Sequence, residues 1–222
     1  MKKGFTLLEM MVVVGIIAIL LAASVAGFSN MTKTADKAKA QELVSNVATA
    51  LTALFQNEGN WPKRLASCGE TGAALDENRA LPLARGSYLS LSTDNDDDPK
   101  HCTKLRGGDR FGVLDPWGTD IVKRKGDSAS LSDIKKGEEL DRYVHYAVDV
   151  DGDGVIKGVD VGGVAVDVRA TAIAWCGGKD GVIQPYPYAG GNANNRKANN
   201  SKGGSANDDV YSWTPAQAAD VQ

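Results

Sequence analysis

An acidic segment near the middle of the chain has the residue types and spacing of a calcium-binding loop. Carboxylates stand at positions 1, 3 and 5 (Asp149, Asp151 and Asp153), glycine at position 6, and Asp160 at position 12. Glycine permits the sharp turn, and hard oxygen ligands at this density suit Ca²⁺ better than Zn²⁺. Aspartate replaces the longer glutamate usual at position 12, and a strand rather than a helix enters the segment. A solvated Asp-Gly hairpin turn is therefore the alternative.

A second chemically unusual residue is Glu9, which lies inside an apolar segment. Of the 24 residues at 5–28, 19 are apolar, and a helix of that length reaches roughly 30 Å, enough to span a bilayer core. A carboxylate there costs about 2.5 to 3.5 kcal/mol on insertion scales and needs a partner. The segment contains no lysine or arginine. Cleavage between Gly4 and Phe5 would supply a positively charged partner, because the new α-amino group would lie one helical turn before Glu9.

Three interpretations of this apolar segment compete. It is a simple membrane anchor, a secretory signal cut after Ala26, or a helix kept in the mature protein after a shorter cut. Lys2 and Lys3 precede the segment and would stay on the cytoplasmic side of a membrane. In the first interpretation Glu9 only reaches out towards the membrane face, and no charge pair is needed.

Residues 2–9, KKGFTLLE, resemble the class III signal of type IV pilins and type II secretion pseudopilins. In that family a prepilin peptidase cuts after the glycine and methylates the new amino terminus. The resemblance therefore implies cleavage between Gly4 and Phe5 and N-methylation of Phe5. It also implies that Glu9 pairs with the amino terminus of a neighbouring subunit during filament assembly. This likeness covers roughly the first 60 residues.

Two motifs extend the resemblance into the second half of the chain. Residues 115–118, DPWG, form a predicted turn with an anchoring indole and are similar to a turn of major pseudopilins. Residues 175–181 and a later Asp-Asp pair are similar to the terminal calcium loop of those proteins. The resemblance implies calcium ligands at Asp180, Asp208 and Asp209. A loop rich in glycine and asparagine intervenes, and one ion could pin its ends because closure cost grows only with the logarithm of length.

The apolar segment continues into an amphipathic one. Leu43, Val47, Leu51 and Leu54 follow one another at intervals of four, four and three, which puts them on one helical face. All seven prolines come later in the chain, and Gly-Asn-Trp-Pro at 59–62 provides a stop signal. We predict a leader peptide at 1–4 and one long helix at 5–58, whose segment 5–28 spans the membrane and drives assembly.

The remainder, residues 59–222, is predicted to be a globular β-rich region. From Pro62 onward it holds 21 of the 25 glycines, with short β-rich runs between turn residues. The predicted strands lie at 120–123, 142–148 and 164–175. The fold class is therefore α+β: a long amino-terminal helix packed on a small antiparallel β-sheet with large calcium-type loops, as in the pilin fold.

Composition and cysteine content limit the functional classes. The 222 residues carry 25 Lys plus Arg against 28 Asp plus Glu, so no basic surface is available for nucleic acid. Three cysteines are too few for a disulfide scaffold, but an oxidising compartment would favour one disulfide. Cys68 and Cys102 are the nearest pair, and the sequence leaves the connectivity open. No nucleophile elbow, phosphate loop or metalloprotease helix occurs, so no enzymatic activity is expected.

The resemblance implies a structural subunit of a homo-oligomeric helical filament, most similar to the major pseudopilin of type II secretion, which drives protein export across the outer membrane. One alternative is a type IV pilin of a surface pilus for adhesion or motility, and another is a secreted calcium-binding module. The implied partners are a prepilin peptidase, an inner-membrane assembly platform and minor pilin-like proteins. The subunit would wait as a single-pass inner-membrane protein with its globular region in the periplasm, then join a periplasmic or extracellular filament. One or two Ca²⁺ ions are the expected cofactors.

Overall fold

One long helix, α1, begins the described part of the chain. It spans Leu7–Glu58 in the computed structural model, which describes residues 7–89, 103–104, 111–136, 140–183 and 209–219. No proline interrupts it, and its residues are mostly good helix formers. Gly59 follows with a φ of +69° and donates its N–H to the carbonyl of Phe55 at 2.8 Å. This left-handed glycine ends the helix where the sequence places a stop signal.

The chain divides into two compact units, Met1–Ala38 and Lys39–Gln222. The division falls within α1, whereas the change in composition suggested a boundary after residue 58. The reason is burial, because side chains of α1 from Ala40 onward enter the core of the second unit.

The second half of α1 supplies one wall of that core. Leu43, Val47, Leu51 and Leu54 are all 4% exposed or less, as their spacing predicts. They pack in one cluster with strand residues such as Tyr146. Full burial of each leucine contributes about 1.5 to 3 kcal/mol. The apolar face of α1 is thus the surface on which the rest of the second unit assembles.

A four-stranded antiparallel sheet covers this face. In chain order the strands are β1 (Ala73–Ala74), β2 (Thr103–Lys104), β3 (Phe111–Gly112), β4 (His145–Val148), β5 (Ile156–Val161), β6 (Val164–Val168), β7 (Ala172–Cys176) and β8 (Val210–Tyr211). The main sheet has the order β1-β4-β7-β8, while β2-β3 and β5-β6 form separate two-stranded sheets. All pairings between these strands are antiparallel. The α+β class with a small antiparallel sheet is therefore confirmed.

Short helices precede, connect or follow these strands. They are α2 (Lys63–Ala66), α3 (Glu77–Arg85), α4 (Pro116–Lys125), α5 (Leu131–Ile134) and α6 (Pro215–Ala219), with a 3₁₀ turn at Gly126–Ser128. Two β predictions are confirmed in part. The run 142–148 contains β4, and the run 164–175 is divided into β6 and β7 by a turn around residue 170.

The strand predicted at residues 120–123 is wrong, because this run lies within α4. The DPWG motif is the start of that helix and not a free turn. Asp115 is its N-cap, with a side chain that accepts the N–H of Gly118, and Pro116 takes the first position, where a missing N–H costs nothing. A four-residue run with only two apolar residues, Ile121 and Val122, cannot by itself distinguish a strand from a helix.

Replacement of Leu51 tests the role of the α1 face. Leu51→Ala should lower the free energy of unfolding by about 2 to 5 kcal/mol, because it opens a cavity in a core from which water is excluded. Leu131→Ala is the matched control. Leu131 is 48% exposed, so its loss should change stability by less than about 0.5 kcal/mol. Urea unfolding measures both, and equal losses would contradict this account of the core.

Candidate functional site

The first unit presents an apolar helical surface. Large side chains at residues 7–21 are exposed, from 45% at Val13 to 79% at Leu7. Glu9 is exposed among them in the first turn of α1, while Gly4 and Phe5 lie outside the described residues. Contiguous apolar exposure on this scale marks a surface that contacts a partner or a membrane.

Within the residues described, no helix combines the length and apolar character needed to cross a membrane. The membrane-spanning segment at 5–28 therefore stays a prediction.

In the second unit, the loop that follows β4 closes around the side chain of Asp149. This carboxylate is 5% exposed, and its two oxygens accept the N–H groups of Gly152 at 2.7 Å and Gly154 at 2.8 Å. Both glycines have positive φ, +78° and +85°, a conformation that side chains rarely allow. The turn itself thus favours glycine at positions 152 and 154.

Glu70, in the segment after α2, joins this loop from a distant part of the chain. Its Oε1 accepts the N–H of Val150 at 3.3 Å, and its Oε2 accepts that of Lys157 at 2.7 Å. One carboxylate oxygen from each of Glu70, Asp149 and Asp151 lies within 4.8 Å of the others. Ca²⁺ takes oxygen ligands at about 2.3 to 2.6 Å, so oxygens at this separation can share one ion. The donor chemistry and spacing therefore fit calcium.

Sequence reasoning missed Glu70 because no local signal marks it. It stands 80 positions from Val150, whose N–H it accepts, and the glycines and cysteine beside it form no ligand pattern. Only the packing of the segment after α2 beside the loop brings it there.

Asp153 and Asp160 lie outside the trio of Glu70, Asp149 and Asp151. The Oδ1 of Asp153 accepts the N–H of Val155 at 2.8 Å, and its Oδ2 contacts the ammonium of Lys157. Asp160 lies near the end of β5, where its Oδ1 accepts the N–H of Gly163 at 2.8 Å in the turn to β6. The structure thus brings two of the four loop aspartates together with Glu70 and gives the other two different contacts.

The second predicted ligand set is described only in part. The Oδ1 of Asp180 accepts the N–H of Val182 at 2.9 Å, and the Oδ2 of buried Asp209 accepts the hydroxyl of Tyr211 at 3.0 Å. Asp208 lies outside the described residues, so calcium at this set stays a prediction.

Arg142 anchors the loop that carries Asp180. It is buried, and its guanidinium donates to the carbonyls of Gly178 and Lys179, each at 2.7 Å. Gly181 has a φ of +72°, and a Cβ there would lie 2.8 Å from Cζ of Arg142. The two carbonyl bonds therefore fix the loop tightly against the guanidinium.

Asp115 completes this buried network. Its Oδ2 lies 3.4 Å from Nη1 of Arg142, longer than the 2.7–2.9 Å of a charge-assisted bond. The guanidinium therefore compensates only partly for the hydration that the carboxylate has lost. Burial raises the pKa of Asp115 to about 7, opposed by the charge of Arg142 and by the N–H of Gly118.

The cysteines do not settle the predicted disulfide. Within the described residues neither Cys68 nor Cys176 forms a disulfide, and Cys102 lies outside them. Cys68 donates to the carbonyl of Leu65 at 3.3 Å, while burial raises the pKa of Cys176. The Cys68–Cys102 pairing remains a prediction.

Comparison with known proteins supports the amino-terminal motif. Residues 1–25 match the prokaryotic N-terminal methylation motif. A type IV major pilin protein, PilE1 of Neisseria gonorrhoeae, is 26% identical over 149 residues, which cover 64% of this chain and 89% of that pilin. These matches support a relationship of the chain to the type IV pilin-like superfamily. This confirms the resemblance carried by residues 2–9.

Other matches to this pilin-like chain are more local. Type IV major pilin protein PilE of Neisseria gonorrhoeae is 36% identical over 69 residues, and a fimbrial protein of Neisseria meningitidis serogroup A is 35% identical over 69 residues. Each match covers 31% of this chain and 41% of the relative. No solved structure matches the chain. These relatives are named as pilins or fimbrial proteins, not as pseudopilins.

The buried carboxyl of Asp115 predicts a pH dependence of stability. Between pH 4 and pH 7 the unfolded chain has lost this proton while the folded chain keeps it, so folding becomes less favourable as the pH rises. Asp115→Asn should remove this contribution. Between pH 4 and pH 7 the unfolding free energy of the variant should therefore increase relative to that of the parent protein as the pH rises. Urea unfolding at several pH values measures the difference.

Asp133→Asn is the control with the opposite sign. Hydrogen bonds from Lys125 and Ser130 lower the pKa of Asp133 to about 2, so its stabilising contribution is present above pH 4 and lost as the pH falls towards 2. This variant should therefore retain the parent slope between pH 4 and pH 7. If the unfolding free energies of Asp115→Asn and the parent protein changed in parallel with pH, Asp115 would not be neutral in the folded chain.

Proposed function

We propose that this chain is the structural subunit of a surface type IV pilus, assembled through the apolar first half of α1. The observation that carries the proposal is the exposed apolar surface of residues 7–21, which lies within the matched methylation motif at residues 1–25. An apolar helix leaves lipid only where equivalent helices replace the lipid contacts. Repeated contacts between different faces of identical subunits build a filament when the rotation between subunits does not close into a ring.

The relatives favour a surface pilus over a secretion pseudopilus. The matched proteins are named as type IV pilins or fimbrial proteins, and one match extends over 149 residues, well beyond the amino-terminal motif. The DPWG motif at 115–118 remains the feature in favour of a pseudopilus. Retention of the apolar helix for assembly also disfavours a secreted module cut after Ala26. The role is structural, and no catalytic step is part of it.

In this proposal the chain resides in the inner membrane before assembly. Prepilin peptidase removes residues 1–4 and methylates Phe5, while segment 5–28 holds the subunit in the bilayer with its globular region in the periplasm. An inner-membrane platform and minor pilin-like proteins then transfer it into the filament. The carboxylate of Glu9 pairs with the amino terminus of the neighbouring subunit, because each charge is costly in an apolar environment without the other.

Neutralisation of Glu9 tests the assembly step. Glu9→Gln should leave the mature amino terminus at N-methyl-Phe5, read by mass spectrometry, but should reduce the filament yield at least tenfold. Glu42→Gln, at an exposed glutamate further along α1, is the matched control and should assemble normally. Equal filament yields from both variants would disprove a role of Glu9 in pairing.

Deletion of the chain separates the two filament types. A surface pilus predicts loss of filaments from the fraction sheared off the cells, with unchanged export of other proteins. Loss of export from cells that carry no such filaments would favour the secretion pseudopilus.

We further propose that the loop after β4 binds Ca²⁺ through Glu70, Asp149 and Asp151. The support is three carboxylates of suitable spacing, two of which, Asp149 and Glu70, are each already oriented by two backbone N–H groups. When bound, the ion would neutralise these charges and stabilise only the folded chain. Asp153 and Asp160 are candidates for further ligands, and Asp180, Asp208 and Asp209 for a second ion.

Removal of Glu70 tests this calcium site. Saturating Ca²⁺ should raise the melting temperature of the full chain in detergent by about 5 °C over the value with chelator, and Glu70→Gln should abolish most of that shift. Glu58→Gln, at an exposed glutamate that ends α1, should retain it. An identical calcium response in Glu70→Gln and the parent protein would exclude Glu70 as a ligand.

A further inference from the structure

The ammonium group of Lys157 lies at the edge of the carboxylate trio. Its Nζ is 3.2 Å from the Oδ2 of Asp151 and also contacts the Oδ2 of Asp153. Asp151 belongs to the trio with Glu70 and Asp149, whereas Asp153 does not. One positive charge of the chain itself thus bridges two of the carboxylates that the sequence pattern assigns to a metal ion.

A bulge in β5 directs Lys157 towards this loop. Ile156 pairs with Val168 and Val159 pairs with Val166, so β5 has one residue more than β6 in this interval. Gly158 takes a φ of +64° and donates its N–H to Asp167 Oδ1 at 2.7 Å. Bulges of this kind change the direction of a neighbouring side chain.

The backbone of Lys157 also contacts the carboxylate trio. Its N–H donates to the Oε2 of Glu70 at 2.7 Å. Glu70 therefore contacts Lys157 through the main chain, while Asp151 and Asp153 contact it through the ammonium group. Lys157 thus contacts Glu70 through its backbone and the acidic loop after β4 through its side chain.

We propose that Lys157 is a tethered competitor of the divalent cation at Glu70, Asp149 and Asp151, and that it sets the calcium affinity of this loop. This inference rests on the calcium site proposed above. An ion coordinated by Asp151 would meet the ammonium group at close range, and like charges repel. Calcium binding therefore requires the Lys157 bridge to open.

The exposure of Lys157 makes this competition reversible. Its side chain is 50% exposed, and ion pairs in contact with water are weak and screened by salt. At low calcium the ammonium group bridges the loop, and at high calcium the ion takes its place. The apparent dissociation constant then equals the intrinsic one divided by the fraction of chains with an open bridge.

Removal of the ammonium group should therefore tighten calcium binding. For a bridge closed in about 80 to 90% of chains, Lys157→Met lowers the calcium dissociation constant about five- to tenfold. Lys157→Gln, which keeps a polar side chain, should have the same effect because the charge is the cause. Both substitutions are at an exposed position of β5, so the fold should tolerate them.

Terbium luminescence provides the measurement in the full chain in detergent. The indole N–H of Trp61 donates to the carbonyl of Asp149 at 2.5 Å, so this ring stands beside the loop and can transfer excitation to a bound Tb³⁺. Displacement of Tb³⁺ by Ca²⁺ then gives the calcium dissociation constant. Lys135→Met is the matched control, because the exposed Lys135 forms an ion pair of 3.0 Å with Asp141, away from this loop. It should leave the constant unchanged.

The outcomes separate this inference from the calcium site itself. Tighter binding in Lys157→Met and Lys157→Gln, but not in Lys135→Met, supports the competition. Equal constants in all four proteins overturn the competition and leave the calcium site standing. A luminescence signal that is absent from the parent protein and from both Lys157 variants overturns the calcium site, and the competition with it.

Discussion

The apolar face of α1 is the constraint on which the second unit depends. From Ala40 onward a helix with one apolar face is covered by the sheet and the short helices, and the four residues predicted for that face are buried. Burial of such a surface is the main favourable contribution to folding. In the first unit no such cover surrounds residues 7–21, whose large side chains are exposed. The same helix therefore contributes to the hydrophobic core of the second unit and forms an exposed apolar surface in the first unit.

Buried polar groups fix the loops around that core. Arg142 donates to two carbonyls of the loop at 178–179, and Asp115 caps α4 from a fully buried position beside it. Groups of this kind contribute little net energy when paired but cost several kcal/mol, about 3 to 5, when a partner is lost. Their effect is to hold α4 and the carboxyl-terminal loop in one arrangement.

The acidic loop after β4 shows how a chain can order closely spaced carboxylates. Backbone N–H groups orient Asp149, the main-chain N–H groups of Val150 and Lys157 orient Glu70, and the ammonium of Lys157 bridges Asp151 and Asp153. Each contact reduces the repulsion that like charges would otherwise exert on each other. A loop organised in this way has a defined shape before any ligand arrives.

Local pattern determined much of this protein. The spacing of Leu43, Val47, Leu51 and Leu54 is enough to predict the buried face, because residues three and four apart share one side of a helix. The glycines at 152 and 154 predict the turn, since few other residues adopt positive φ. The motif at residues 2–9 predicts the superfamily. All of these signals lie within one helix or one turn.

Only the tertiary structure decided which distant residues meet. It placed Glu70 beside Asp149 and brought Asp115 next to Arg142. Residues 120–123 are helical and not extended because a local signal, the Asp115 cap followed by Pro116, begins α4. By contrast, Glu70 and Asp149, like Asp115 and Arg142, lie far apart in the chain and meet only through tertiary packing.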